Sequence, residues 1–338
     1  MKQMINLEGE EWKEIRSTFT PIFTSGRMKA MIIFMQNTCN QLMQCMDQCA
    51  DTKEDFELKE ILGKYSMETL ASCAFGVDAQ SFSTENSQFV TNAKSMFDQT
   101  IYDMLKFALA MIPGGKLLLR SLDLSISPSR NLKFFYEVVT ATLKYRKETS
   151  ERRNDDLIDM MLDAIKGDLQ DSIQEDEDQF EQDAKLNHHS SKKTVDEVAV
   201  VATAIVILVA GYDTTGSTLA FALYELSKNP DVQEKIREEL KEITNGDNEK
   251  EFMYEDLKSL NYLDQVICET LRLHTPLGLL GRNAIKDYKI PGTDILIPKD
   301  TQVVANVMAV HFNEEYYPNP FSFNPDNFSK EAKANRSQ

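Results

Sequence analysis

The segment from Val198 to Ser227 is apolar on nearly all sides and constrains the fold more than any other feature of this chain. Its longest apolar run, Val198 to Gly211, has about 14 residues, whereas a membrane span needs roughly 20. A helix of this kind lies in the middle of a protein, where every face meets other residues. Thr194 and Glu197 have the spacing of a capping box and indicate where it begins. We therefore predict a fold organised around one long, buried helix.

The rest of the chain predicts a mainly α fold with a small β region. Glycine and proline are scarce, at 13 and 10 in 338 residues, and apolar periodicity predicts helices at 8–19, 26–50, 57–74, 131–148, 155–164, 230–243 and 261–273. After Pro276 the helical pattern ends, and short strands are predicted at 288–290, 295–297 and 302–307. No linker separates these parts, so we predict a single domain over residues 1–338.

Charge excludes one class of function. The formal net charge is −17, and a strongly acidic protein is repelled by nucleic acid backbones, so nucleic acid is not an expected partner. Acidic residues crowd the stretch 166–192, which we interpret as a solvated surface loop, with metal binding as the weaker alternative. The five cysteines match no zinc pattern and predict buried free thiols in a reducing compartment: Cys39, Cys45, Cys49, Cys73 and Cys268.

The central apolar segment contains an unusual stretch with several polar residues, Ala210-Gly211-Tyr212-Asp213-Thr214-Thr215. Polar groups in a central helix cost stability unless they have partners, so they indicate a function. Alanine and glycine leave room beside the helix for a flat ligand or a diatomic molecule. A hydroxyl beside a carboxylate is a minimal device for proton delivery. The alternative is a threonine-rich stretch whose hydroxyls bond back to the helix and have no chemical role.

Two further pairs of residues lie at helical spacing. Glu269 and Arg272 can form a charge-assisted pair on one helix face, although such pairs are common on surfaces and usually stabilise little. Trp12 and Arg16 place two hydrogen-bond donors on one face, which suits an anionic group such as a carboxylate. Each pair alone is a weak signal, and packing is the ordinary role of Trp12.

Together, in this order, the three motifs resemble those of the cytochrome P-450 family. The Trp12 segment resembles its helix C, the segment 210–215 its oxygen-binding helix I signature, and Glu269 with Arg272 the invariant pair of its helix K. Residues 323–328 resemble the segment that follows, and residues 12–31 are most similar to microsomal members from arthropods. The resemblance covers essentially the whole chain and implies the P-450 fold, a large helical body around a long central helix.

The resemblance also implies a cofactor and the residues around it. The cofactor is haem b, iron protoporphyrin IX, held by a cysteine thiolate and contacted by Trp12, Arg16, Ala210, Gly211 and Arg282. Thr214, helped by Asp213, is implied to deliver protons. Glu269 and Arg272 are implied to hold the core around the haem. Six apolar residues, which suit a lipophilic substrate, are implied to line the substrate pocket: Ile205, Leu208, Val209, Leu277, Leu279 and Leu280.

Two departures from the family pattern stand out. The arginine expected at position 327 is Asn327, which cannot form an ion pair with Glu269. The Phe-x-x-Gly-x-x-x-Cys-x-Gly loop is absent, and the resemblance places it, with the axial cysteine, beyond Gln338. It places the membrane anchor and first helices before Met1. We therefore expect an incomplete P-450 catalytic domain, an internal fragment that has no metal ligand and is inactive alone.

For the full-length parent, the resemblance implies a monooxygenase of lipophilic small molecules, which include xenobiotics and hormones. Electrons from NADPH are expected through an NADPH-cytochrome reductase, and the location is the cytosolic face of the endoplasmic reticulum membrane. Two alternatives stay open: a haem-thiolate isomerase or dehydratase on the same fold, and a non-catalytic truncated product. Asp213 and Thr214 favour the monooxygenase, because an enzyme that rearranges peroxides needs no proton relay.

Overall fold

Helices dominate the computed structural model, which describes residues 4, 7, 9–53, 55–83, 87–97, 101–110, 118, 119, 121, 122, 132–149, 156–166, 196–247 and 250–336. The chain divides into two compact units, Met1–Gly216 and Ser217–Gln338, and the division falls within one long helix. The prediction of a mainly α protein is confirmed. The prediction of a single domain over residues 1–338 stays a prediction.

The first unit is helical wherever the structure assigns regular elements to it. These are α1 (Gly9–Phe19), a 3-10 turn (Thr20–Phe23), α2 (Ser25–Thr52), α3 (Leu58–Leu70), a π-helical turn (Ala71–Phe75), α4 (Gln88–Phe97), α5 (Ile101–Ala110), α6 (Leu132–Thr149), α7 (Leu157–Lys166) and the first part of α8 (Glu197–Lys228). The acidic loop predicted at 166–192 lies, beyond Lys166, outside the described residues, as does the predicted cap at Thr194.

The long helix α8 packs into the core of the first unit through one stripe. Ile205, Leu208 and Tyr212 follow helical spacing and are 1%, 2% and 8% exposed. Met67 of α3 and Phe75 of the π-helical turn belong to the same buried cluster. By length and composition α8 could also cross a membrane. Its buried stripe makes it a core helix of the first unit. The prediction that every face meets other residues is wrong, because Phe221, Leu223 and Tyr224 are 41%, 41% and 51% exposed.

The second unit continues α8 and adds α9 (Pro230–Thr244), α10 (Tyr254–Ser259), α11 (Asn261–Leu273), α12 (Val307–His311), a 3-10 turn (Pro325–Phe328) and α13 (Lys330–Asn335). Val232 and Ile236 of α9 pack on Val266 of α11. The Glu239 carboxylate accepts the backbone N–H groups of Tyr262 and Leu263 at 2.7 and 3.0 Å. A carboxylate at a helix N-terminus is stabilising, so α9 fixes the beginning of α11.

Two small antiparallel sheets lie in the second unit. Strands β1 (Leu279–Asn283) and β4 (Gln302–Asn306) pair from Leu279↔Asn306 to Asn283↔Gln302, and β2 (Tyr288–Lys289) pairs with β3 (Leu296–Ile297). The three strands predicted from sequence are confirmed within one or two residues. Strand β1 was not predicted, because its residues do not alternate between apolar and polar.

Candidate functional site

The segment 210–215, here called the signature turn, lies in α8 with its two small residues in different environments. Ala210 is exposed, whereas a Cβ added to Gly211 would lie 3.0 Å from both methyl carbons of Leu70 in α3. Glycine at 211 therefore allows close packing against Leu70, which would have to shift if a larger residue stood there. The prediction that Ala210 and Gly211 border an oxygen pocket stays a prediction.

Two successive carbonyl oxygens of the signature turn accept bonds from side-chain hydroxyls. Thr214 Oγ1 donates to the oxygen of Ala210 at 2.6 Å, one turn earlier in α8. Ser66 Oγ of α3 donates to the oxygen of Gly211 at 3.1 Å. Hydroxyls that bond carbonyl oxygens compete with the amide bonds of the helix and loosen it locally. The turn is therefore held partly by side chains.

The carboxylate of the signature turn has a cationic partner. Asp213 Oδ1 lies 3.1 Å from Nζ of Lys59 in α3, and the Asp213 side chain is 31% exposed. No sequence pattern marks this pair, because 154 positions separate the two residues and Lys59 lies in an ordinary helical pattern. The Asp213 carboxylate thus contacts the Lys59 ammonium, while the neighbouring Thr214 hydroxyl bonds the Ala210 carbonyl oxygen.

Trp12 and Arg16 lie on one face of α1, as their spacing predicted. The Arg16 guanidinium carbon is 5.6 Å from the centroid of the Trp12 ring, while Ile15 and Phe19 on the adjoining face are buried at 5% and 3%. Within the described part of the chain, neither the indole N–H nor the guanidinium donates a hydrogen bond to another residue. Two donors on one face can bind a carboxylate.

Glu269 and Arg272 form a buried ion pair at the end of α11. Both side chains are 0% exposed, and the pair is bidentate, with Nε to Oε2 at 2.8 Å and Nη2 to Oε1 at 2.7 Å. Arg272 also donates to the carbonyl oxygens of His311, Pro320 and Ser322 at 2.9, 2.7 and 3.1 Å. All five N–H groups of the guanidinium therefore have acceptors. The pair fastens α11 to the chain between residues 311 and 322.

Asn327 contacts Glu269 although it carries no charge. Its Nδ2 donates to Oε1 of Glu269 at 3.1 Å, and the backbone N–H of Asn324 donates to the same oxygen at 2.9 Å. The ion pair of the family pattern is replaced by a hydrogen bond from an uncharged amide to the Glu269 carboxylate. The contact is kept because the 3-10 turn Pro325–Phe328 brings the short amide to the carboxylate.

Replacing Asn327 with alanine is expected to lower the free energy of unfolding by about 1.5–3 kcal/mol, because a hydrogen bond to a charged acceptor is lost. Urea denaturation of the purified protein measures the loss. Asn261→Ala is the control, since the Asn261 amide makes an exposed bond to Ser259 and its removal is expected to change stability by about 0.5 kcal/mol or less. Equal effects of the two substitutions would contradict the assigned contact.

His311 makes the stability of the protein depend on pH. Burial lowers the pKa of His311 from its ordinary 6.5, while a hydrogen bond between its Nδ1 and the Arg272 carbonyl oxygen, 3.0 Å long, acts in the opposite direction. Since the folded state binds this proton less tightly than the unfolded chain, the stabilisation is present above pH 6.5 and is lost as the pH falls. We expect His311→Gln to flatten the decline in unfolding free energy between about pH 7.5 and about pH 5. An unchanged slope would show that His311 does not contribute to it.

The comparisons with known proteins agree on one family. A family model for cytochrome P450 matches residues 1–338. Cytochrome P450 6k1 of Blattella germanica is 33% identical over 340 residues, which is 99% of this chain and 63% of that protein. Cytochrome P450 6B2 of Helicoverpa armigera is 32% identical over 336 residues, 99% of this chain and 63% of that protein. Cytochrome P450 3A14 of Cavia porcellus is 33% identical over 338 residues, 99% and 62% of the two chains.

The chain belongs to the cytochrome P450 family. Its resemblance to arthropod members, predicted from residues 12–31, is confirmed by relatives from Blattella germanica, Helicoverpa armigera and Drosophila melanogaster. The chain spans about 63% of the length of the Blattella germanica and Helicoverpa armigera relatives. The P450 fold predicted from the three motifs is therefore established.

Membership of the P450 family implies a haem, and the described residues fit its outer parts. In the first unit, the donors of Trp12 and Arg16 suit the carboxylates of a haem edge, and the exposed methyl of Ala210 leaves space beside α8 for a flat ring. In the second unit, Arg282 lies on the exposed strand β1 and donates to the adjoining Gly281 carbonyl at 2.8 Å. These donors and small residues match the chemistry of a haem.

Four of the cysteines have the properties of protonated structural thiols. Burial raises the pKa of Cys73 to about 12, and burial also raises the pKa of Cys39, Cys45 and Cys268. A raised pKa is typical of structural cysteines in apolar surroundings. All five cysteines are free, as predicted. Only Cys73 is fully buried; Cys39 is exposed, and Cys45, Cys49 and Cys268 are partly buried on α2 and α11, so the prediction that all five are buried is wrong.

The residues predicted to line a substrate pocket fall into two groups. Ile205 and Leu208 lie in the packed core of the first unit, with Val209 partly buried against it. For Ile205 and Leu208 the structure therefore gives a packing role, because the buried stripe of α8 runs through them. The other three are exposed, at 60%, 63% and 42%, in the second unit: Leu277, Leu279 and Leu280.

A polar cavity lies elsewhere in the first unit. It has a volume of about 380 Å³ and is lined by Phe34, Asn37, Thr38, Gln41, Glu68, Ser72, Val77 and Asp78. None of the predicted site residues lines it. Its two carboxylates and its amides make it unsuitable for a lipophilic substrate, so it is not the predicted substrate pocket.

Proposed function

We propose that the protein is a haem-thiolate monooxygenase that inserts one oxygen atom of dioxygen into a lipophilic small molecule. The observation that carries the proposal is the signature turn of a P450-family chain, where Thr214 and Asp213 follow the exposed Ala210. A hydroxyl beside a carboxylate can hold and pass protons. Reduction of dioxygen consumes protons, whereas rearrangement of a peroxide does not, and this difference favours the monooxygenase over an isomerase or dehydratase.

Each residue of the site has a role in this proposal. In the first unit, Trp12 and Arg16 would bind haem carboxylates, and Ala210 leaves the adjoining face of α8 open. In the second unit, Arg282 would offer a further donor to haem carboxylates. When bound, the haem b would supply the activation of dioxygen. Thr214 Oγ1, which donates to the Ala210 carbonyl oxygen at 2.6 Å, would hold and pass a proton on this face of α8.

The Asp213 carboxylate and the ion pair of α11 complete the proposal. Asp213 is 31% exposed, so it can exchange protons with solvent and resupply Thr214. Glu269 and Arg272 are 0% exposed and hold α11 and the chain up to residue 322 in place. They contribute rigidity and do not touch the reacting atoms.

The substrate, the electron donor and the location are part of the same proposal. The exposed leucines at 277, 279 and 280 favour an apolar substrate, a xenobiotic or a hormone among them. Electrons would come from NADPH through an NADPH-cytochrome reductase. The reductase and the cytosolic face of the endoplasmic reticulum membrane are inferred from the family.

Labelled dioxygen tests the proposal. The complete protein, loaded with haem and mixed with the reductase and NADPH, is incubated with naphthalene or biphenyl under dioxygen enriched in the heavy isotope. A monooxygenase places one labelled atom in the hydroxylated product and requires NADPH. In a parallel incubation with an organic hydroperoxide, rearrangement without NADPH supports the isomerase or dehydratase, and failure to take up haem supports a non-catalytic protein.

A further inference from the structure

One face of α3 contacts α8 along the signature turn. Four residues of α3, spaced by four, three and four positions, take part in these contacts: Lys59, Gly63, Ser66 and Leu70. Such spacing places side chains on a single face of a helix. Their partners on α8 lie between Gly211 and Gly216. The turn that carries Asp213 and Thr214 therefore rests on α3.

The two helices cross with their backbones in close contact. A Cβ added to Gly216 would lie 3.3 Å from the Cα of Gly63, and one added to Gly63 would lie 3.2 Å from the Tyr212 hydroxyl oxygen. Because neither Gly63 nor Gly216 has a side chain, the two backbones can approach this closely. Because interiors are packed as densely as crystals, a shift of α3 here displaces α8 as well.

The polar contacts lie on both sides of this crossing. Lys59 Nζ lies 3.1 Å from Oδ1 of Asp213, and Ser66 Oγ lies 3.1 Å from the oxygen of Gly211. The first contact fixes the direction of the carboxylate. The second contact donates a hydrogen bond to the Gly211 carbonyl oxygen. This oxygen lies in the same turn of α8 that the Thr214 hydroxyl loosens. The two contacts therefore act on the Asp213 carboxylate and the Gly211 carbonyl oxygen, whose positions set the geometry of the predicted proton path.

The bond of Ser66 departs from the usual pattern of helical hydroxyls in this chain. Thr38, Thr203 and Thr270 each bond the carbonyl oxygen four residues earlier in their own helix. Ser66 is only 2% exposed, yet its hydroxyl reaches a carbonyl of another helix. If Ser66 served packing alone, a small apolar residue would be expected at this position, because burying a hydroxyl costs free energy unless it is bonded. The bond to Gly211 is thus a specific feature of the crossing.

We propose that Lys59 and Ser66 are positioning residues, through which α3 sets the geometry of the signature turn. Lys59 orients the Asp213 carboxylate, and Ser66 holds the Gly211 carbonyl while Thr214 bonds that of Ala210. The proposal rests on the monooxygenase function for its consequence in proton delivery. Its structural part, the control of the turn by α3, is independent of that function.

Amide hydrogen exchange followed by mass spectrometry tests the structural part in the complete protein. We expect Ser66→Ala to speed exchange in peptides covering residues 210–218 about fivefold, the factor that corresponds to the net value of one hydrogen bond, ~1 kcal/mol. Lys59→Met is expected to speed it by a smaller factor, since the pair is partly exposed. Ser66→Thr and Lys59→Arg are expected to restore slow exchange. Glu60→Gln is the matched control, because Glu60 pairs with Lys94 at 3.9 Å, away from the turn.

Three results overturn the inference. Exchange in 210–218 that is unchanged in both variants shows that α3 does not hold the turn. Exchange that rises equally in all peptides shows a general loss of stability and no positioning role. Exchange that rises to the same extent in Glu60→Gln shows that any charge change on α3 suffices.

A second readout connects the inference with the chemistry. In the haem-loaded protein, we expect both variants to lower the fraction of NADPH electrons recovered in product, with KM for the probe unchanged, and the Thr and Arg variants to restore it. If the unsubstituted protein makes no NADPH-dependent product, the proposed function fails while the exchange result still decides the role of α3. A lowered electron yield with unaltered exchange overturns the inference.

Discussion

Replacing Arg272 with methionine is expected to lower the free energy of unfolding by about 3–5 kcal/mol, the usual loss when one partner of a buried ion pair is removed. The side chains of Arg272 and Glu269 are both 0% exposed. The substitution leaves the Glu269 carboxylate buried without its counter-ion. It also removes the donors to three carbonyl oxygens, those of His311, Pro320 and Ser322. Urea denaturation measures the change.

Two control variants separate burial from charge. Arg237→Met removes an exposed arginine that pairs with Glu234 at 3.2 Å, and it is expected to cost less than about 1 kcal/mol. Arg272→Lys keeps the charge but offers three donors in place of five, so an intermediate loss is expected. If Arg272→Met lowers the free energy of unfolding by no more than Arg237→Met does, the pair of Glu269 and Arg272 does not anchor the second unit.

Replacing Thr214 with valine is expected to lower the rate of product formation by about 10²–10⁴-fold, the usual contribution of a positioned proton donor. Valine keeps the branched shape and removes only the hydroxyl, so the bond to the Ala210 carbonyl oxygen disappears. Haem uptake is expected to stay unchanged, because Thr214 is not among the residues assigned to the haem carboxylates. NADPH-dependent turnover of the haem-loaded protein measures the rate.

The chain offers a matched control for this substitution. Thr203 lies in the same helix, and its hydroxyl donates to the Ala199 carbonyl oxygen at 2.8 Å, the same type of bond as that of Thr214. Thr203→Val is expected to leave turnover unchanged, and Thr214→Ser is expected to restore it. Equal losses in Thr203→Val and Thr214→Val would mean that the helix needs such bonds for its shape and that Thr214 has no special role in proton delivery.

The sequence predicted those parts of the fold and site that depend on local periodicity. The apolar character of Val198–Ser227 predicted α8, and the spacing of Glu269 and Arg272 predicted their pair. The spacing of Trp12 and Arg16 predicted their shared face. In each case the partners lie within a few turns of one helix, so the number of residues between them determines the distance between their side chains.

The remaining contacts depend on chain segments that meet only in the folded protein. Lys59 and Ser66 contact residues about 150 positions later, and their own helical pattern does not mark them. Asn229 shows the same limit at short range. Its sequence suggests an N-cap of α9, but its amide donates to the Glu225 carbonyl oxygen at 2.8 Å and so caps the end of α8. Asn229 lies between the end of α8 and the beginning of α9, and among the described residues its side chain bonds only the end of α8.

The most direct test of the proposed function is the absorption spectrum of the complete, haem-loaded protein after reduction and addition of carbon monoxide. We expect the Soret band to move to the long wavelength that distinguishes thiolate-ligated haem, because the chain belongs to the P450 family and Trp12, Arg16 and Ala210 fit a haem. A protein that takes up no haem, or whose band stays at the shorter wavelength of histidine-ligated haem, would contradict the proposal.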